Sequence, residues 1–366
     1  MKRAKLTRLL AAFPKLRVAV LGDFCVDRYF DVDARLERDR SKETGLPIHQ
    51  VARVRSYPGG AGTVVNNLDA LGVGAILPVG FIGRDGEGFE LREAFGQMNV
   101  KLDYLAESAR HTPAYTKPLL VGKGPPREIS RFDIFPHEPL TRAEERSLLA
   151  RLDAAFERAD ALIVSDYTEA GKSGVVIPTV RERVRRLAAR RPGKVILADS
   201  RLHVDKFPGV RIKANEHEVR RLVGRCFSLG GTDIPVCPRG DRQECLSHHI
   251  AALAQVGCAR ARKFGKPLFV TLGARGMLVC RADGAVRWPG FPVAGPIDIV
   301  GAGDAVTASV ASALAAGASD DDAGLLGVLV SSITIQQIGV TGVAHPAEVR
   351  ARFADYVRRF PEAATT

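Results

Sequence analysis

Gly301-Ala302-Gly303-Asp304 stands at the mouth of a run of small residues that continues as Ala305-Val306-Thr307-Ala308-Ser309-Val310. The run reads as a helix, and its first turn leaves unobstructed backbone N–H groups at the positive end of the helix dipole. An anion is the natural occupant. Asp304 places a carboxylate beside that anion, which is odd for simple phosphate binding but sensible if a hydroxyl must be aligned for attack on a phosphoryl group. Taken alone, a glycine-rich turn with an ordinary first-turn acid would look the same.

Other acids sit at strand ends. Arg17-Val18-Ala19-Val20-Leu21 is a short apolar run stopping at Gly22-Asp23, with Asp27 four residues on. Such a pair can hold a sugar by accepting hydrogen bonds from its hydroxyls, or can simply serve a turn. Ala161 to Asp166 and Lys194 to Asp199 are two further buried strands with polar ends, and the helix between them makes a βαβ unit and a partly parallel sheet. Val210 to Lys213 delivers Asn215 and Glu218 at the head of a helix, where they share a face and could reach one metal–phosphate cluster, or form a cap and a surface acid.

The elements that must position these groups follow from periodicity. Tyr29 to Asp33 and Ile48 to Val54 alternate and read as a β excursion; Ala114 to Val121 with Glu128 to Asp133 reads as a second. Insertions at about 29–57 and 112–135 could pair into a small sheet covering an active site. Pro58-Gly59-Gly60-Ala61-Gly62-Thr63 opens a helix containing Asn67, and its order and glycine spacing do not fit a dinucleotide fingerprint. Pro267 to Val279 is two strands around a tight turn through Gly273 and Gly276, and an apolar helix is expected around Leu325 to Ile338.

The chain has 366 residues, 46% hydrophobic and 26% charged, with a formal charge of +12. This is a globular composition, and 1–366 reads as a single α/β domain carrying the two insertions. The densest basic run, Arg181 to Lys194, has Val180, Val184, Leu187 and Ala188 at helical spacing and reads as a solvated helix face. No aromatic-interleaved basic patch or zinc-finger spacing points to nucleic acid, and attraction of anionic metabolites accounts for the charge. No signal peptide or membrane span is expected, and six cysteines without a CxxC pair fit the cytoplasm. Cys237, Cys245, His248 and His249 match no standard zinc pattern. Gly171-Lys172-Ser173 mimics a P-loop, but Asp166 occupies the position of its first glycine.

Together these residues resemble the ribokinase-like (PfkB) carbohydrate kinases from about Arg17 to about Arg352: Gly59-Gly60, Asn215-x-x-Glu218, Thr271-Leu272-Gly273-x-x-Gly276 and Gly301-Ala302-Gly303-Asp304 match that family's signatures in order. Further points of similarity lead to its heptose 7-phosphate kinase group: Gly22-Asp23-x-x-x-Asp27-Arg28-Tyr29, Arg131-Phe132-Asp133 and Asp160 to Tyr167. Only the kinase half has a counterpart. The resemblance implies a three-layer α/β sandwich with a mostly parallel central sheet and a small β-sheet lid. It also implies ATP- and Mg2+-dependent phosphorylation of a sugar or sugar phosphate, and a homodimer through the lid.

Residue by residue, the resemblance implies that Asp304 is the base and that the amides of Gly301, Ala302 and Gly303 are the anion hole. An aspartate at a helix N-terminus should be a weak base. Asp23, Asp27, Gly59, Gly60, Asn67 and Asp166 are expected at the sugar, with Thr63 where such kinases have asparagine. Arg131 is the candidate for a substrate phosphate. Asn215 and Glu218 would organise Mg2+ and the nucleotide phosphates, Glu218 indirectly, with Thr271, Gly273 and Gly276 against the nucleotide. Asp298 would serve a monovalent cation such as K+, although Ile299 removes the hydroxyl that the family pattern has there. Ribose, fructose phosphate and nucleosides are alternative acceptors, and a non-catalytic sugar or nucleotide sensor is a reading of another class.

Overall fold

A computed structural model of the chain describes residues 1–33, 35, 40–122, 124–167, 173–226 and 242–364. Its strands are β1 (Arg17–Gly22), β2 (Phe24–Asp33), β3 (Val51–Gly60), β4 (Ala75–Gly83), β5 (Leu105–Ser108), β6 (Ala114–Gly122), β7 (Gly124–Glu128), β8 (Phe132–Ile134), β9 (Ala161–Asp166), β10 (Val195–Ser200), β11 (Arg211–Asn215), β12 (Leu268–Thr271), β13 (Met277–Cys280) and β14 (Ala285–Trp288). Nine of them make one sheet in the order β14-β13-β12-β11-β10-β9-β1-β4-β5. From β12 to β5 every pairing is parallel, and β13 and β14 are added antiparallel.

A parallel sheet has to be covered on both faces. In β1, Val18 and Val20 pack into one core while Ala19 and Leu21 pack into the other; in β9, Ile163 and Val164 divide in the same way. Ala61–Ala70, Ala302–Ala315 and Asp320–Thr334 cover the first face. Arg142–Arg158, Pro178–Arg190 and Arg242–Phe264 cover the second. These are the three layers expected. In Pro178–Arg190 the buried side chains are Val180, Val184, Leu187 and Ala188, while Arg185 and Arg186 pair with Glu182 and Arg190 with Glu157 on the outer face.

Ala302–Ala315 is buried on every side from Ala305 to Leu314. Its small side chains let it sit between the sheet and the neighbouring helices. The hydroxyls of Ser309 and Ser312 donate back to Val306 O and Ala308 O, so their burial leaves no donor unpaired. That seat fixes where the helix begins, and hence where Gly301 to Asp304 lie.

The remaining strands form a smaller sheet, β3-β2-β6-β7 with β8 on β6. The two insertions therefore pair as expected, through antiparallel β2–β3 and parallel β2–β6. The sheet starts earlier than the alternating pattern implied, because Phe24 and Val26 are buried in the main core and β2 leaves β1 after Asp23 alone. It also ends later. Phe24 pairs with Gly60 and Cys25 with Gly59, and Gly60 (φ 58°) turns straight into the helix Ala61–Ala70. Arg55 of β3 forks onto Asp31 (3.1 and 2.7 Å) and donates to Gly339 O, joining the small sheet to the loop after Asp320–Thr334.

That apolar helix runs from Asp320 to Thr334, not from 325 to 338: Ser319 caps it through Asp322 N, and residues 335–339 instead form a turn around Asp298. The cysteine-bearing stretch lies between the helices Glu216–Cys226 and Arg242–Phe264; Cys237 and the side chains of Cys245 and His248 fall outside the described residues, as do Gly171 and Lys172. His249 is described, and its ring lies 3.2 Å from Glu216.

Gly276 closes the β12–β13 turn at φ 95°, and a Cβ there would lie 2.0 Å from Trp288 O and 2.5 Å from Gly290 N. Gly276→Ala should therefore destabilise the protein by about 2–4 kcal/mol, read as a lowered urea midpoint. A midpoint equivalent to wild type would contradict this turn.

Candidate active site

Because β9, β1, β10, β11 and β12 run the same way, their carboxyl ends share one edge, which is where open α/β sheets bind ligands. A cavity of about 410 Å3 lies there. One wall is the helix mouth, with Gly301, Gly303 and Asp304. The floor is strand ends, with Tyr167, Asp199, Arg201, Lys213, Asn215 and Glu218. The far wall belongs to the small sheet, with Asp27, Gly60, Tyr115, Lys117 and Arg131. A smaller cavity of about 50 Å3 shares Gly60, Tyr115 and Tyr167 with it and adds Asp23, Cys25, Phe135 and Pro136.

The helix mouth is shaped by conformation. Gly301 is the N-cap at φ 76°, where a side chain would be strained and would press on Thr63 Cγ2 at 3.2 Å. A Cβ at Gly303 would lie 3.0 Å from Lys213 Nζ. The missing side chains thus leave a cradle with backbone N–H groups at one side and an ammonium at another, which fits the phosphates of a nucleotide.

Lys213 is buried on β11 and donates to Asp199 Oδ2 at 2.8 Å. Burial opposes its charge most strongly, but the Asp199 carboxylate and, beside it, Glu218 and Asp304 together raise the lysine pKa above its ordinary value. Asp199 Oδ2 also accepts the Thr307 hydroxyl at 2.9 Å, and the Tyr167 hydroxyl stands 3.0 Å away. Tyr167 reaches Asp304 Oδ1 at 2.5 Å. Asp304 is pushed up to about 7, first by burial and then by the Asp199 charge, against the Tyr167 hydrogen bond, Lys213 and Arg201. The weak base expected from a helix N-terminus is thus corrected: desolvation and a neighbouring carboxylate exceed the dipole.

Asn215 and Glu218 cap each other. Asn215 N donates to Glu218 Oε2 at 2.8 Å and Glu218 N donates to Asn215 Oδ1 at 2.9 Å. The pair is thus a cap, but Glu218 is buried rather than a surface acid, and both residues line the cavity. Burial, then the Asp199 charge, raises the Glu218 pKa. Among the described residues no three His, Cys, Asp or Glu side chains gather as a metal site. Asn215 and Glu218 supply oxygen donors of the hard kind that Mg2+ takes.

At the small sheet, Lys117 Nζ lies 4.0 Å from Asp27 Oδ1, and Arg131 stacks over the Tyr115 ring at 4.9 Å while donating to Asp133 at 2.8 Å. Burial raises the Asp27 pKa against the pull of Lys117 and Arg131. Gly59 makes room for this carboxylate, since a Cβ there would lie 2.5 Å from Asp27 Oδ2. Asp23 accepts Val175 N at 3.0 Å and borders the smaller cavity.

Several expected residues stand outside the cavity walls. Asn67 is wholly buried and donates to Thr63 O. Asp166 is buried against Ser200 (2.7 Å) and His203 (2.9 Å), and the next residue, Tyr167, takes the place at the wall. Thr271, Gly273 and Gly276 form the β12–β13 turn beyond it, and the Ala302 amide, expected in the anion hole, is not open: it donates to Ile299 O at 3.2 Å across the glycine turn. Asp298 accepts Val300 N at 3.0 Å and Gly339 N at 2.9 Å and acts as a staple for the glycine loop. Sequence reasoning missed Lys213, Lys117, Arg201 and the part played by Tyr167. A lysine inside an otherwise buried strand two residues before Asn215 was the available signal.

Fold and site together define a ribokinase-like sugar kinase. The chain belongs to the pfkB family of carbohydrate kinases, whose pattern matches residues 15–347. It is 27% identical over 344 residues to the bifunctional protein HldE of Coxiella burnetii, covering 93% of this chain and 65% of that protein. It is 30% identical over 343 residues to HldE of Acidiphilium cryptum, covering 92% of this chain and 63% of the relative. The chain thus spans just under two thirds of the length of these relatives. Its fold is that of Arabidopsis thaliana ribokinase complexed with ribose and ATP (TM-score 0.62, 18% identity, 92% of this chain and 98% of that one). Phosphofructokinase-2 from Escherichia coli in complex with fructose-6-phosphate shares it too (TM-score 0.64, 16% identity, 94% and 100%). No helix among the described residues is long and apolar enough to cross a membrane.

The Asp304 shift has a thermodynamic consequence. Its folded pKa lies above the unfolded value, so ionising it costs stability in full above about pH 7 and nothing below about pH 4. Asp304→Asn should then stabilise the fold at pH 8 by on the order of 4 kcal/mol, with the gain gone at pH 4. Thermal melts at the two pH values check this.

Proposed function

We propose that this chain transfers the γ-phosphoryl group of ATP to a hydroxyl of a phosphorylated sugar, with heptose 7-phosphate to heptose 1,7-bisphosphate as the specific reaction. The observation that carries the reading is the placement of Asp304 beside the open amides of Gly301 and Gly303 and the Lys213 ammonium, in a cavity whose opposite wall carries Lys117 and Arg131.

The acceptor oxygen forms a bond to the γ-phosphorus as the bond to the departing ADP oxygen breaks, and the acceptor proton passes to the Asp304 carboxylate. The amides at the helix mouth and Lys213 stabilise charge on the transferred group. Mg2+, when bound, would neutralise the nucleotide phosphates, with Asn215 and Glu218 orienting its water shell. Asp23 and Asp27 accept hydrogen bonds from the sugar hydroxyls, Tyr115 and Phe135 supply an apolar wall, and Lys117 and Arg131 meet the acceptor's own phosphate. The small sheet acts as a lid over the reacting atoms. Its outer strand β3 exposes Val51 and Val54, which supports pairing with a second lid.

The heptose assignment is supported by the resemblance of the Asp23, Asp27, Arg131 and Asp160–Tyr167 motifs, and by the HldE relatives. A screen of sugars and sugar phosphates for ADP release should give turnover on heptose 7-phosphate, and turnover on none of them defeats the proposal. Asp304→Asn should lower kcat by about 10^2–10^4-fold; a loss within about tenfold, roughly 1.4 kcal/mol of barrier, removes Asp304 as base. Lys117→Ala should raise KM for the phosphorylated acceptor by about 10-fold or more and leave KM for ATP within about threefold.

A further inference from the structure

Tyr167 is the first residue after β9, and its ring lies under the Arg201 guanidinium at 5.5 Å. Its hydroxyl stands between two carboxylates, 2.5 Å from Asp304 Oδ1 and 3.0 Å from Asp199 Oδ2. A phenol has one proton and can donate to only one of them. Asp199 Oδ2 already receives Lys213 Nζ at 2.8 Å and Thr307 Oγ1 at 2.9 Å. Among the described residues, Tyr167 is the hydrogen-bond donor that the Asp304 carboxylate receives. The phenol O–H therefore donates to Asp304.

We propose that Tyr167 is a positioning residue for the base: its hydroxyl fixes the Asp304 carboxylate through Oδ1, so that Oδ2 is the oxygen presented to the acceptor hydroxyl. This rests on the reading of Asp304 as the base. The acceptor proton goes to Oδ2 and Tyr167 keeps its own throughout. Burial and the two carboxylates hold the phenol pKa well above its ordinary value, so it does not ionise in the working range. The placement also sets the base beside Asp199, which holds Lys213, the cation at the phosphoryl cradle. The charged and titratable groups facing Asp304 are Asp199, Lys213 and Arg201 with Tyr167 itself, and the buried Cys25 thiol lies within its field. A donated hydrogen bond favours a carboxylate's charged form, so Tyr167 keeps Asp304 ionised to lower pH than it would otherwise be.

The test is Tyr167→Phe in the full chain, with kcat and KM measured across pH on the acceptor found in the screen. A positioning role predicts a kcat lower by about 10–100-fold, KM values for ATP and acceptor within about threefold, and an acid limb of kcat/KM displaced to higher pH. In an Asp304→Asn background the same substitution should cost less than about twofold, because there is no carboxylate left to position. A Tyr167→Phe enzyme with wild-type kcat, an unmoved acid limb, or an equal loss in both backgrounds overturns the proposal. If Asp304→Asn itself keeps its turnover, the base assignment has failed instead, and this inference fails with it. Should Tyr167→Phe not fold, 3,5-difluorotyrosine at position 167, a stronger donor of the same shape, should move the acid limb to lower pH; an unmoved limb is again decisive against the role.

Discussion

One buried carboxylate holds the active edge together. Removing a carboxylate from water costs several kcal/mol unless close partners replace the solvent. Asp199, on β10, obtains its donors from two other elements: Lys213 on β11 and Thr307 on the helix Ala302–Ala315. Satisfying this one group fixes β10, β11 and that helix relative to each other. The same contacts set the Lys213 ammonium against Gly303 and, by occupying Asp199 Oδ2, leave the Tyr167 proton to Asp304. A lysine buried without Asp199 would lose its charge, and the cradle would lose its cation.

A second staple works from the other side. Asp298 holds the glycine loop through Val300 N and the 335–339 turn through Gly339 N, and Arg55 of the small sheet holds the same glycine through its carbonyl. Arg55 is itself forked onto Asp31 of β2 and stacks over Tyr29 at 5.1 Å. A continuous chain of hydrogen bonds therefore runs from the sheet that carries Lys117 and Arg131 to the glycine loop at the helix mouth. The two walls of the cavity are joined by short, charge-assisted contacts as well as by the backbone at Gly60.

Much of this was legible in the sequence, for physical reasons. Apolar runs with polar ends mark parallel strands because both faces are buried and only the ends meet a ligand, and Asp23, Asp199 and Asn215 were found in that way. The glycine at 301 was legible because only a residue without Cβ accepts φ 76° beside Thr63. The exact reach of β2 was not, since Phe24 to Val26 are apolar like the strand before them and nothing in their periodicity marks the change of sheet. Tyr167 and Lys213 escaped because their importance comes from a partner more than a dozen residues away in sequence, and such pairings follow from topology alone. Asp166 drew attention in place of its neighbour because a carboxylate at a strand end attracts a functional reading, while Ser200 and His203 absorb it in the fold.

The strength of the base shows how the opposing effects are weighed. A helix N-terminus favours a carboxylate's charge by about 0.3–1 kcal/mol at an exposed site. A rise to about 7 from an ordinary value of 3.8 corresponds to roughly 4 kcal/mol in the other direction, so burial and Asp199 win even with Lys213, Arg201 and Tyr167 opposing them. Such a carboxylate is matched to a proton that leaves late, when the acceptor oxygen has begun to bond to phosphorus and its acidity has risen. An ordinary exposed aspartate would be ionised but too weak to take that proton, and a carboxylate with its pKa far above 7 would be protonated and unable to accept it. Asp199 therefore acts on Asp304 in two opposed ways: its charge raises the pKa of Asp304, and it retains the Lys213 ammonium that offsets the rise.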